Sequence, residues 1–213
     1  MEITYRSELI DRLTFAAKVV QGKRVLDIGG QHPMNHDLSH PFGLAYRRIA
    51  EGAAGYEVFD RDQKPGVKFA GDLNTEEGRA LLVSTLATYR PQVVLCMEIL
   101  EHLNYPCEIM DQLADYVLRE PGAEVFITLP NNGNWILNAL NWHYDHNIAL
   151  FKTIAMRFVG RSRLGRCAIT MYPCVQRYRW YWWLIYAAAF GQPLNWAFHI
   201  TQNKGASNQP AGT

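Results

Sequence analysis

The 213-residue sequence predicts an α/β protein with an open, doubly wound and mostly parallel sheet. Three observations carry that expectation. Short β-branched apolar runs alternate with segments of helical period, the order that βαβ units require. The run Val93, Val94, Leu95, Cys96 is apolar at every position, as suits a strand covered on both faces. Several of these runs then end abruptly in glycine or an acid, at Gly29, Asp60, Asp72 and Glu98. Those residues fall beyond the carboxyl ends of the strands, where open α/β sheets bind their ligands.

The elements follow in order. Leu9, Ile10, Leu13, Ala16, Ala17 and Val20 recur at helical spacing over residues 7–20, and Gly22 stops that helix. Residues 24–28 (RVLDI) read as the first strand, with Gly29 and Gly30 in the turn after it. A helical stretch over residues 44–53 leads to a second strand at 56–59, ending in Asp60. A short third strand at 67–70 ends at Gly71-Asp72-Leu73. Asn74 or Thr75 can cap the next helix, with Glu76 and Glu77 favourable in its first turn. Pro91 opens the strand at 93–96, and Pro106 suits the start of a helix with Ile109, Leu113 and Val117 on one face. Residues 125–129 give a fifth strand. Residues 135–179 are not a clean βα repeat and read as an insertion. Residues 178–190 suit a helix ended by Gly191, and the alternation in LNWAFHI at 194–200 suits a closing strand.

At this length the chain is expected to form one domain with a real core. Cys96, Cys107, Cys167 and Cys174 show no CxxC spacing and read as reduced thiols of a cytoplasmic protein. Acids interrupt the first residues, so they do not form a signal peptide, and the apolar run at 180–191 is too short to span a bilayer. The net charge of +1 conceals a split. Eight of the 21 basic residues follow Asp145 and no acid does, so residues 1–145 hold 13 bases against all 20 acids, a net −7. Such a split fits an anionic partner for the last third (lipid headgroups, nucleic acid or an acidic substrate), or packing of that third onto the acidic part.

Four blocks, in order, resemble class I S-adenosylmethionine-dependent methyltransferases: VLDIGG at 25–30, the acid of EVFDRD at 57–62, GDLN at 71–74, and VVLCMEILEHLNYP at 93–106 with EVFITLPNNG at 124–133. The last pair is particularly similar to the O-methyltransferases of ubiquinone biosynthesis and their small-molecule-methylating relatives. The resemblance implies a Rossmann-like sheet of about seven strands. It also implies a single methyltransferase domain over 1–204: a cofactor-binding part at 20–133, an inserted helical and aromatic substrate part at 134–192, a closing strand at 194–200, then a flexible tail at 205–213. The implied cofactor is S-adenosylmethionine, held by Asp27, Gly29, Gly30, Gln31, Asp60, Asp72, Leu73 and Glu98. Asp27 would orient the methionine ammonium and Asp60 would accept from the ribose hydroxyls. Asp72 and Leu73 would hold the adenine, and Glu98 would lie beside the methionine end. The glycine loop departs from the family's three-glycine pattern, since Gln31-His32-Pro33 follows Gly30. That departure opens the alternative of a degenerate binding protein without activity. A G-x-G-x-x-G fingerprint is absent, against a nicotinamide-linked enzyme.

Six of the seven histidines (His32, His36, His40, His102, His143 and His146) follow strands whose loops share the carboxyl edge. His102 is the first candidate for a base that takes a proton from an oxygen or nitrogen nucleophile, with His143 and His146 next. Its alternative is a structural hydrogen bond fixing that loop. Glu98, Glu101 and His102, with His146 as a fourth ligand, could instead hold a divalent cation. The same E-x-x-E-H pattern resembles metal-dependent RNA 3′-terminal ribose methyltransferases and also the quinone-pathway enzymes. The His32/His36/His40 spacing would align on a helix, but Pro33 and Pro41 bracket it. In the last third, aromatics stand among cations at 177–183 (RYRWYWW), which suits an anionic membrane interface or an apolar acceptor. Base stacking or burial on the sheet would use the same residues. The expectation is methyl transfer to oxygen or nitrogen of a small, apolar or membrane-associated acceptor, by a cytoplasmic protein peripheral to a membrane. RNA ribose 2′-O-methylation and nucleic-acid binding rank behind it.

Overall fold

The computed structural model describes residues 3–30, 39, 41–131, 152–175 and 193–203. They form one nine-stranded sheet: β1 (Ile3–Tyr5), β2 (Ile10–Asp11), β3 (Arg24–Ile28), β4 (Gly55–Asp60), β5 (Val67–Ala70), β6 (Val93–Met97), β7 (Glu124–Pro130), β8 (Ala168–Val175) and β9 (Asn195–Thr201). The spatial order is β1-β8-β9-β7-β6-β3-β4-β5, with β2 also pairing β8. Strands β3 to β7 pair in parallel, and β9 runs antiparallel between β7 and β8. The chain leaves β3 towards β4 on one side and later returns through β6 on the other. The ends of β3 and β6 therefore flank the topological switch point, the crevice where such sheets bind ligands.

Helices cover both faces. On one, α1 (Arg12–Val20) and α2 (Pro41–Gly52) bury Leu13, Ala16, Val20, Tyr46 and Ile49 against Val25, Leu95 and Phe126. On the other, α3 (Glu76–Tyr89), α4 (Pro106–Arg119) and α5 (Lys152–Arg161) bury Leu82, Leu86, Ile109, Leu113, Ala155 and Val159 against Leu26, Val94, Val125 and Ile169. Every residue of β6 is buried, which is why its sequence shows no polar alternation. Pro106 starts α4 at a position that needs no backbone N–H. Asp11 caps α1, its Oδ1 accepting from the Thr14 amide at 2.8 Å.

The expected strands lie within a residue or so of the observed ones, and two differences stand out. The first helix starts at Arg12 rather than near Ser7, because the chain over Ile10 and Asp11 hydrogen-bonds alongside β8 before it turns. The segment read as an insertion contributes α5 and the eight-residue strand β8, which lies inside the sheet. Its AITMYPCV pattern alternates in burial only as far as Pro173, a residue that argues against an internal strand, and both Cys174 and Val175 are buried after it. The expected helix at 178–190 and the tail lie outside the described residues. All four cysteines are free thiols.

Candidate active site

The carboxyl ends of β3, β4, β5 and β6 gather the residues expected to bind the cofactor. Asp27, near the end of β3, is 1% exposed. The Tyr56 hydroxyl donates to its Oδ2. Burial raises its carboxyl to about 7; the Tyr56 hydrogen bond opposes that shift and the nearby Asp60 charge adds to it. Burial, chiefly, also pushes the Tyr56 hydroxyl upward, with Asp27 beside it. Gly29 turns the chain with φ +78°, and its amide donates to the Phe59 carbonyl at 2.8 Å. A Cβ on Gly30 would stand 2.5 Å from Asp27 Oδ2, so only glycine lets the turn fold against that carboxyl. A Cβ on Gly29 would meet the Ile99 side chain at 3.0 Å, which shows how closely the loops after β3 and β6 approach.

Asp60 ends β4, and its carbonyl accepts from the Gly71 amide at 2.9 Å, tying the second acid to the loop that carries the third. In that loop Asp72 Oδ1 accepts from the Asn74 amide at 2.9 Å, which leaves Oδ2 for a further donor. Leu73 is buried in the core, and its carbonyl accepts from Arg79 Nη1 at 3.2 Å. A Cβ on Gly78 would come within 2.0 Å of the Asp72 carbonyl oxygen, so this glycine lets α3 start directly beneath the loop. Sequence reading missed Gly78 and Tyr56: one sits inside a good helical pattern, the other in a strand pattern. Asn74 Oδ1 accepts from the Asn104 amide at 2.8 Å, joining the loops after β5 and β6. Gln31 lies outside the described residues.

These groups fit S-adenosylmethionine chemically. Three acids at the ends of adjacent strands offer acceptors to a ligand rich in amine and hydroxyl donors, beside a turn stripped of side chains.

Glu98 stands differently. It follows β6 with φ 56°, the left-handed region a non-glycine residue enters only when its surroundings hold it there. Its Oε1 accepts from Thr128 Oγ1 at 2.7 Å and pairs with Arg12 Nη1 at 3.1 Å. Its Oε2 accepts from Asn195 Nδ2 at 2.7 Å. Thr128 and Asn195 belong to β7 and β9, which lie on the side of β6 away from β3. Arg12, Thr128 and Asn195 escaped sequence reading because they lie 30 or more residues from Glu98 in the chain; the one hint was an arginine on the apolar side of α1.

Past Glu98, a short 3₁₀ turn at Leu100–His102 buries Leu100 and Glu101 completely and leaves His102 half-buried. The His102 amide donates to the Ile99 carbonyl at 3.0 Å. Among the described residues no group of three His, Cys, Asp or Glu side chains is arranged to hold a metal ion. The E-x-x-E-H block is divided instead: Glu98 is engaged by Arg12, Glu101 is in the interior and His102 is at the loop surface. The expected fourth ligand, His146, lies outside the described residues, as do His32, His36, His40 and His143.

A family profile described as Methyltransferase domain matches residues 1–167. The chain belongs to that family. It is a class I S-adenosylmethionine-dependent methyltransferase. No curated protein matches the methyltransferase significantly in sequence. Among solved structures, it is similar to a chain of the complex between the Haloferax volcanii Trm112 methyltransferase activator and a methyltransferase. The TM-score is 0.56 at 10% identity, covering 89% of this chain and 88% of that one. It is also similar to an S-adenosylmethionine-dependent methyltransferase from Archaeoglobus fulgidus, with TM-score 0.51 at 13% identity over 90% and 95% of the two chains. The small RNA methyltransferase HEN1 aligns with TM-score 0.52 at 12% identity over 93% of this chain, which spans only 26% of that chain. At these identities the likeness is one of fold, and it does not select the ubiquinone-pathway group.

Proposed function

We propose that this methyltransferase transfers the methyl group to an oxygen or nitrogen of a small acceptor that is apolar or membrane-associated. The observation that carries this reading is the divided E-x-x-E-H block. With Glu98 tied to Arg12 and Glu101 in the core, the carboxylates that metal-dependent ribose methylation would use are engaged in the fold. The outward side of α5, with Arg157, Arg161 and exposed Ile154, supports an apolar or anionic environment for the acceptor.

Bound S-adenosylmethionine supplies a methyl group activated on a sulfonium. The chain's own part is alignment, because displacement at carbon requires the nucleophile in line with the departing sulfur. Asp60 would accept from the ribose hydroxyls, Asp72 from the adenine amine, and the Asp27–Gly30 turn would seat the methionine end. His102, on the loop after β6, takes the proton of a hydroxyl or amine nucleophile and returns it to water.

Calorimetry with S-adenosylmethionine and S-adenosylhomocysteine tests the reading. Both ligands should bind, and Asp60→Ala should weaken both roughly ten- to hundredfold, the worth of a hydrogen bond to a charged acceptor. Absence of binding at millimolar ligand would leave a degenerate scaffold as the answer. An unchanged affinity in Asp60→Ala would remove that acid from the ribose site.

A further inference from the structure

The cluster around Glu98 is not explained by cofactor binding. Arg12 is 3% exposed and stands at the first turn of α1. Its guanidinium reaches Glu98 across the top of the sheet, while Thr128 and Asn195 donate to the same carboxylate from β7 and β9. Three elements thus converge on one side chain whose backbone is held in the left-handed region. A carboxylate has about four acceptor positions, and these contacts use three. The Glu98 side chain remains 25% exposed, so the carboxylate is fixed but open to one more donor.

Its place in the topology says which donor. Gly29, Gly30, Asp60 and Asp72 lie over β3, β4 and β5, on one flank of β6. Glu98 opens over β6, β7 and β9, on the other flank. The nucleophile must approach the methyl group from the side opposite the sulfur, and among the described residues the flank over β7 and β9 carries none of those assigned to the cofactor.

We propose that Glu98 is the acceptor-recognising residue of this methyltransferase and that Arg12 is its positioning residue. The acceptor then carries an O–H or N–H donor at, or next to, the atom that is methylated, on an otherwise apolar body. Glu98 receives that hydrogen bond and orients the nucleophile. The proton itself goes to His102 and water. This inference rests on the cofactor reading above.

The test needs no knowledge of the acceptor. Sinefungin replaces the methyl-bearing sulfonium of S-adenosylmethionine by a carbon that carries an amine, so it presents an ammonium where the methyl would point. S-adenosylhomocysteine presents nothing there. In calorimetry, the unaltered protein should bind sinefungin about tenfold more tightly than S-adenosylhomocysteine, through one hydrogen bond to a charged group. Glu98→Gln and Arg12→Met should bring that ratio close to one while S-adenosylhomocysteine affinity stays the same, and Arg12→Lys should restore part of it. Should Arg12→Met fail to fold, Glu98→Gln and Thr128→Val carry the comparison. Equal weakening of both ligands, or an unchanged ratio, would overturn the assignment, since either would make the cluster structural or part of the cofactor site. If the unaltered protein binds neither ligand, the cofactor reading itself falls. That result is distinct from a changed ratio.

Discussion

Asp27 shows how one residue links the site to stability. Its carboxyl is raised from 3.8 to about 7, chiefly by burial. The unfolded chain releases this proton near pH 4 and the folded chain holds it to about pH 7. The stabilising contribution is therefore complete below pH 4 and is lost as pH rises through 7. Over that interval the loss amounts to at most about 4 kcal/mol. Asp27→Asn keeps the acceptor for Tyr56 and removes the titration, so its melting temperature relative to the unaltered protein should climb between pH 4 and pH 8. A difference that does not vary with pH would show that Asp27 is ionised in the folded state. Asp27 was legible from VLDIGG, but its partner was not. Tyr56 is 29 residues away and meets Asp27 only because β3 and β4 pair in parallel register. The same holds for Arg12, Thr128 and Asn195 around Glu98: side chains brought together by sheet order leave no local signature.

At the scale of elements, α3 is where sequence and structure agree most closely. Thr75 accepts from the Gly78 amide at 3.1 Å and its own hydroxyl donates to the Asp72 carbonyl at 2.8 Å, so the cap fastens the helix and the Asp72 loop together. Thr75→Ala should cost about 1 kcal/mol and lower the melting temperature by roughly 2–4 °C. It should also weaken S-adenosylhomocysteine more than the stability loss accounts for, while Thr75→Ser restores both. Loss of stability with unchanged affinity would separate the cap from the loop's function. Caps, β-branched runs and proline starts made β3 to β7, α3 and α4 legible, because each is a local choice. Strands β1, β2 and β8 were not, since three- and two-residue strands have no period and β8 reads as a mixture of buried and half-buried positions around Pro173. Only pairing with neighbours makes them strands.

At the scale of the whole molecule, the charge split becomes a question of where the cations of the last third stand. Arg163 is neutralised on α4, its Nη1 lying 2.6 Å from Asp115 and its amide donating to Asp111 at 2.6 Å. This supports in part the plain expectation that the basic third packs onto the acidic part. Arg157, Arg161 and Arg166 are exposed, and the last third has no acid to screen them. Arg157 and Arg161 fall one helical turn apart on α5, opposite the buried Ala155 and Val159 and next to Ile154, which is 47% exposed. No described helix is long and apolar enough to cross a membrane. Basic side chains near an anionic leaflet contribute about 1 kcal/mol each. Reversing two of them to glutamate should therefore lower association with vesicles containing phosphatidylserine by well over tenfold. Raising salt from 0.1 M to 1 M, where the screening length falls from about 10 Å to about 3 Å, should act in the same direction. Co-sedimentation of the unaltered protein and the Arg157→Glu, Arg161→Glu variant, with neutral vesicles beside anionic ones, reads both effects. Binding that ignores the charge reversal would place lipid contact elsewhere on the chain. Retention of single-stranded RNA but not of vesicles would move the ribose-methylating alternative ahead of the small-acceptor reading.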